Sequence, residues 1–213
     1  FSSNEALELF KKNNFKTDKS CVFITEKDVR DALERVPSRF IVHARNSFYD
    51  VAIGEDDFVF LPTAGAPNVV DATGELRTAT LQDYRTCCQL VQTSDQMDMN
   101  GILTVQPTDI PPQVAHLDML FANMVLCDKA YVGAAMSRQA AIDCLEMASI
   151  AWGGEENLKR QPVMTAIVHS ISPLKYSGEE AEAIIDMARL GQPLVISNMV
   201  VAGSSGPISL PGL

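Results

Sequence analysis

A chain of 213 residues, 46% hydrophobic and 21% charged, is long enough to bury one sizeable core and has the balance of a globular protein. Its formal net charge of −10 opposes a phosphate backbone, so no nucleic acid is expected as partner; the charge serves solubility or the docking of another protein. No run approaches the roughly 20 apolar residues that span a bilayer, so no membrane is expected either, and Phe1–Glu5 lacks the basic and apolar regions of a secretory signal.

Residues 1–37 predict two helices around a short extended piece. Ala6, Leu7 and Phe10 have helical spacing, and Cys21 lies in the piece between. Thr25-Glu26-Lys27-Asp28 reads as a capping box, followed by Val29, Leu33 and Val36 on one face and by Pro37 as a stop. Arg39–Arg45 is β-rich. Tyr49–Ile53 and Phe58–Leu61 alternate about a Gly54-Glu55-Asp56-Asp57 turn, which predicts a hairpin between them. Pro62–Pro67 is a stiff loop of small residues. Asn68–Asp71 and Leu76–Thr78 flank Ala72-Thr73-Gly74-Glu75, a second hairpin signal. These features divide the chain into an N-terminal helical and antiparallel β lead-in, residues 1–80, and a remainder, residues 81–213.

From residue 80 the pattern changes to strand and helix in turn. Thr80-Leu81-Gln82-Asp83 starts a helix with Leu81, Tyr84, Cys88 and Val91 on one face; strands are predicted over Met97–Val105, Tyr131–Met136, Val163–His169 and Leu194–Val200. Pro111-Pro112 opens a helix whose apolar stripe is Val114, Leu117, Leu120, Phe121, Met124 and Val125. Ser137 caps the next, which buries Ala141, Ile142, Leu145 and Ala148. Ser177-Gly178-Glu179-Glu180 caps the last, which stops at Gly191. Strands that recur about every 30 residues as continuous apolar runs, with capped helices between, are βαβ units of a parallel sheet. Either a doubly wound sheet or a (β/α) barrel fits; the lack of G-x-G-x-x-G after a strand lowers the dinucleotide-binding alternative.

The cysteines, Cys21, Cys87, Cys88, Cys127 and Cys144, form no C-x-x-C pair, and His43, His116 and His169 lack ligand spacing relative to them. Reduced thiols in a cytoplasmic protein and no zinc site are expected. In a parallel barrel the site forms at the carboxyl ends of the strands. Those ends offer Thr104, Gln106 and Thr108, then Met136 and Ser137, then His169, Ser170, Ser172 and Lys175, then Ser197, Asn198 and Met199. Gln106, His169 and Asn198 each follow an apolar run, where a polar side chain is costly unless it meets a partner, solvent or substrate. They are the candidate substrate-binding residues, against the alternative that they satisfy groups within the wall. Lys175 lies in a loop and suits a Schiff-base role poorly. Gly203-Ser204-Ser205-Gly206 is an anion cradle or a simple loop.

Two stretches carry the reading further. Phe58-Val59-Phe60-Leu61-Pro62-Thr63-Ala64-Gly65-Ala66-Pro67-Asn68-Val69-Val70-Asp71 is followed by Gly74 and Arg77–Asp83; later come Ser170–Leu174, Met187–Pro193 and Ala202–Pro207. Together with Pro37–Phe40 and His43–Asn46 they resemble, over essentially the whole chain, the trimethylamine methyltransferase family, including its glycine betaine branch. The resemblance implies an eight-stranded TIM-type (β/α) barrel, of which this chain covers roughly the first half; the lack of an initiator Met and the apolar end Ile208–Leu213 also suggest a chain cut at both ends. It implies methyl transfer from a methylated amine, glycine betaine being favoured, to the cob(I)alamin of a separate corrinoid protein. No cofactor is then expected on this chain, which agrees with the absence of D-x-H-x-x-G, and the expected partners are the cognate corrinoid protein, the small amine and a second copy in a homo-oligomer. Two alternatives stay open: a barrel that binds a methylated amine without catalysis, and a trimethylamine-specific enzyme if pyrrolysine, which such members carry in the second half of the barrel, follows Leu213.

Overall fold

The computed structural model describes residues 1–62, 67–102, 104–170 and 174–198, together with Gly203, Gly206 and Ile208. The chain begins with α1 (Asn4–Lys12), an antiparallel pair β1 (Lys16–Asp18) and β2 (Cys21–Phe23), and α2 (Glu26–Leu33). Two antiparallel hairpins follow, β3 (Arg39–Val42) with β4 (Val51–Gly54) and β5 (Asn68–Val70) with β6 (Leu76–Thr78). The remainder alternates: α3 (Leu81–Thr93), β7 (Met99–Gly101), α4 (Ala115–Leu126), β8 (Ala130–Gly133), α5 (Arg138–Ala151), α6 (Glu155–Arg160), β9 (Thr165–Ser170), α7 (Gly178–Arg189) and β10 (Leu194–Asn198). No helix among the described residues is long and apolar enough to cross a membrane.

The strands β7, β8, β9 and β10 form one parallel sheet in chain order. The order does not reverse, whereas a doubly wound sheet reverses at its switch point. The three expected capping boxes are present: Thr25 with Asp28, Thr80 with Asp83 and Ser177 with Glu180 each satisfy two backbone donors at a helix start. Ser137 accepts from the Ala140 N–H at the start of α5.

Each face of the sheet has its own covering. On one face Tyr131, Ala166 and Val168 pack with Met119, Leu120, Cys144, Leu145 and Met187 from α4, α5 and α7. On the other, Met99, Ala130 and Val132 pack against Val42, Ala44 and Val51 of the β3–β4 hairpin and its connection. Polar ties hold that hairpin at the amino ends of the strands. The His43 N–H donates to the Pro162 carbonyl at 2.8 Å, and Arg45 bonds Asp128 at 2.6 Å. The buried Lys129 ammonium bonds the Ser94 and Met97 carbonyls at 2.6 and 2.5 Å and faces the Tyr49 ring at 5.4 Å.

Three expectations are revised. First, β4 pairs with β3, not with Phe58–Leu61. Phe58 is 85% exposed, and Phe60 is tied elsewhere: its N–H donates to the Asp98 carboxylate and its carbonyl accepts from the Asp98 N–H, both at 2.8 Å. Second, α4 is rotated relative to the expected stripe, with Val114, Phe121 and Val125 exposed and Met119, Ala122 and Asn123 buried. A helix apolar nearly all round gives periodicity little to choose with, and the buried hydrogen bond that the Asn100 side-chain amide donates to Asn123 Oδ1 at 3.0 Å fixes the face. Third, β7 is only Met99–Gly101, and at its end the Gly101 N–H donates to Asn100 Oδ1 at 2.9 Å.

Gly54 ends β4 at φ +117°, and a Cβ there would lie 2.0 Å from the Ser38 carbonyl oxygen. Gly54→Ala is therefore expected to cost at least about 1–3 kcal/mol in backbone strain alone, measurable as a lower urea midpoint. Asp83 gives a pH-dependent test. Bonds from Arg77 and then from Thr80 hold its carboxyl far below the usual range. A depressed folded-state pKa means that the stabilisation is complete above the unfolded value, about 4, and is lost as pH falls below it. Asp83→Asn should therefore lower stability at neutral pH, and urea titrations should show the gap to wild type narrowing as pH drops below about 4.

Candidate active site at the carboxyl end of the parallel sheet

The hairpin covers the amino end of the inner sheet face and leaves the carboxyl end to a cavity of about 460 Å³. This size suits a small organic ligand. Gly101 and Ile102 line it at the end of β7, Val132–Met136 at the end of β8, and Ile167 and His169 on β9. Ala115, His116 and Met119 of α4 and Ser137, Gln139 and Ala140 around the start of α5 complete one wall, and Leu61 and Pro62 another. The strand pattern explains the lining: Ala166 and Val168 turn to the helices, so Ile167 and His169 turn the other way.

The polar lining consists of Gln106, Gln113, His116, Ser137, Gln139 and His169. Among the described residues no Asp, Glu, Lys or Arg lines the cavity, and neither does a Phe, Tyr or Trp. Tyr131 and Trp152 sit 6.1 Å apart, with Tyr131 in the core beneath the helices. Cys144, behind the wall, receives the Ala134 N–H at 3.3 Å, and burial pushes its thiol up to about 11, so it is no ready nucleophile. No group of three potential metal ligands occurs among the described residues.

Of the three candidates, Gln106 and His169 both line this cavity. Ser197, level with His169 in the register of β9 and β10, approaches the His169 Nδ1 with its Oγ at 2.6 Å. Asn198 ends β10 opposite Ser170, and its side chain lies outside the described residues. Thr63–Ala66, Ser172, Met199, Ser204 and Ser205 lie outside them as well. Lys175 is exposed and is not among the lining residues.

Sequence reasoning missed His116. It lies in the first turn of α4, and its Nε2 is 2.6 Å from Asp143 Oδ2 on α5, whose Oδ1 accepts from Gln139 at 2.8 Å. The two side chains are 13% and 19% exposed. Desolvation raises the Asp143 carboxyl, but the bonds from His116 and Gln139 outweigh it and hold the pKa below the usual value. The available signal was position: the first turn of a helix that follows a strand lies at the carboxyl end of a parallel sheet.

The trimethylamine methyltransferase family matches residues 1–213. The chain belongs to that family. It is 37% identical over its whole length to a glycine betaine methyltransferase of Desulfitobacterium hafniense (strain Y51), covering 44% of that protein. It is 29% identical over 99% of its length to a trimethylamine methyltransferase of Desulfitobacterium hafniense (strain DSM 10664 / DCB-2), covering 43% of it. An L-carnitine:corrinoid methyltransferase of Eubacterium limosum is 25% identical, with 99% of this chain and 44% of that protein aligned. The chain thus spans less than half the length of these curated relatives.

The Ser197–His169 contact is open to a direct check. Ser197→Ala removes one partly exposed hydrogen bond and should change stability by less than about 0.5 kcal/mol, while the ¹⁵N resonances of the His169 ring shift; unchanged resonances would show that the bond does not form in solution.

Proposed function

We propose that this chain forms part of a methyltransferase that moves a methyl group from a quaternary amine, glycine betaine being favoured, to the cob(I)alamin of a separate corrinoid protein. The observation that carries the proposal is the cavity lining of aliphatic and neutral polar side chains, in a chain 37% identical to a glycine betaine methyltransferase. The unreversed order of β7 to β10 supports the first half of an eight-stranded (β/α) barrel, with residues 1–80 as its lead-in; a cytoplasmic homo-oligomer is part of the same proposal and has no support in the strand order.

A quaternary nitrogen already carries its positive charge. When the carbon–nitrogen bond breaks, the bonding pair returns to nitrogen and a neutral tertiary amine leaves, so no acid is needed on that atom. The partner's corrinoid supplies the nucleophile that accepts the methyl group. What remains for this chain is orientation and exclusion of water. Ile102, Met119, Val132 and Ile167 provide apolar contact for the methyl groups, while Gln106, His169 and Asn198 position the amine or its carboxylate. The 29% identity to a trimethylamine methyltransferase favours trimethylamine as the second reading.

The test is to incubate the whole protein with reduced corrinoid protein and, in separate reactions, glycine betaine, proline betaine, carnitine and trimethylamine, and to follow the corrinoid spectrum. A change with glycine betaine is expected; no change with any of the four removes the proposal. His169→Ala and Asn198→Ala should raise KM or lower kcat by roughly an order of magnitude or more with the fold unchanged. Wild-type turnover in both variants would overturn the residue assignment and leave the class of reaction standing.

A further inference from the structure

One polar side chain of the helical wall has no part in the reaction as derived so far. Gln139 lies in the first turn of α5, four residues before Asp143, which sets the two on one face of the helix. It lines the cavity, and its Nε2 donates to Asp143 Oδ1 at 2.8 Å. Asp143 Oδ2 is taken by His116 Nε2 at 2.6 Å. Desolvation raises the Asp143 carboxyl, but the bonds from His116 and Gln139 hold it below its usual value, so at neutral pH it is ionised and can only accept. That fixes the Gln139 amide whatever the charge on the His116 ring. The reverse orientation would set the amide oxygen against a carboxylate oxygen. The NH2 group therefore faces Asp143, and Oε1 is the end left over, with no protein hydrogen bond among the described residues. The setting gives that oxygen a use. Both α4 and α5 start at this end of the sheet, and the positive ends of their dipoles oppose a cation in the cavity. Among the described residues no Asp or Glu lines the cavity to offset them. A fixed amide oxygen supplies the negative end of a dipole without adding a base.

We infer that Gln139 is a specificity residue that presents its amide oxygen to the positively charged trimethylammonium end of the ligand, with Asp143 as the positioning residue that orients it. The inference rests on the proposed function in assuming that a quaternary methylated amine occupies this cavity. It goes further in assigning the recognition of charge, as distinct from shape, to one side chain. Aliphatic walls accept any group of the right size. The methyl hydrogens of a quaternary ammonium carry part of its positive charge and meet an oxygen through C–H···O contacts. An uncharged tert-butyl group of the same size gains far less from that oxygen. No bond is made or broken in this step.

Calorimetry on the whole protein without corrinoid protein tests this with two ligands of one shape, glycine betaine and 3,3-dimethylbutanoate, in which carbon replaces the nitrogen and the positive charge is gone. Wild type should bind glycine betaine more tightly. Gln139→Met keeps the length of the side chain and removes the oxygen; it should weaken glycine betaine roughly two- to fivefold, the loss of one such contact, and leave 3,3-dimethylbutanoate as it was. Asp143→Ala, which frees the amide, should lower the ratio in the same direction. In wild type, the Gln139 side-chain ¹³Cδ resonance should move when glycine betaine is added and stay when 3,3-dimethylbutanoate is added, a readout that needs no variant to fold. Equal wild-type affinities, a preference for the uncharged ligand, an unchanged ratio in either variant, a still Gln139 resonance or no binding of either ligand would each overturn the inference. Charge-selective binding with these signatures but no methyl transfer would instead overturn the proposed function.

Discussion

The β3–β4 hairpin covers the inner face of the parallel sheet at only one end, and the placement of everything else follows from that. Val42 and Val51 seat on Met99, Ala130 and Val132, so the amino ends of the strands are filled with aliphatic side chains. The opposite face is filled by α4, α5 and α7. The inner face at the carboxyl ends is left without a hairpin, and the cavity lies there. The bonds that hold the hairpin, from His43 to Pro162 and from Arg45 to Asp128, belong to the backbone and to the turns before β8 and β9. They make no demand on the cavity wall.

Within the cavity, both imidazoles come with their own partners. His116 has Asp143 and Gln139; His169 has Ser197. A buried polar side chain without a partner costs more than a bond returns, so pairing lets an apolar pocket keep imidazoles without forfeiting stability. It also sets direction. The His116 pair reaches inward from two helices, whereas the His169 pair stands on two adjacent strands. The Asn100–Asn123 pair is a further polar contact buried in the interior, joining β7 to α4.

Signals within a few residues of one another were readable in the sequence. The capping boxes at Thr25, Thr80 and Ser177 sit where expected, because a cap is a local bond. The Asn68–Thr78 hairpin and the alternation of strand and helix after residue 80 depend on turn chemistry and period, which are also local. His169 stands near the end of the apolar run that forms β9, whereas Gln106 lies beyond β7, which ends at Gly101 and is shorter than its apolar run suggested. Pairings across distance were not readable. Whether Tyr49–Ile53 joins the segment before it or after it depends on Gly54 against Ser38 and on Asp98 holding Phe60. The face of α4 depends on a partner 23 residues away, and His116 meets Asp143 across 27. Periodicity cannot encode a contact between two helices that each satisfy it separately.

The separation of the two ends also bears on how such a chain can change over time. Substitutions that trim or enlarge the connections after β7, β8 and β9 alter the pocket while the hairpin end keeps the scaffold folded, and repairs at the hairpin end leave selectivity untouched. Folding and recognition are then nearly independent variables. A lineage with this arrangement can move from one small ligand to another by small edits at the open end, without passing through an unfolded ancestor.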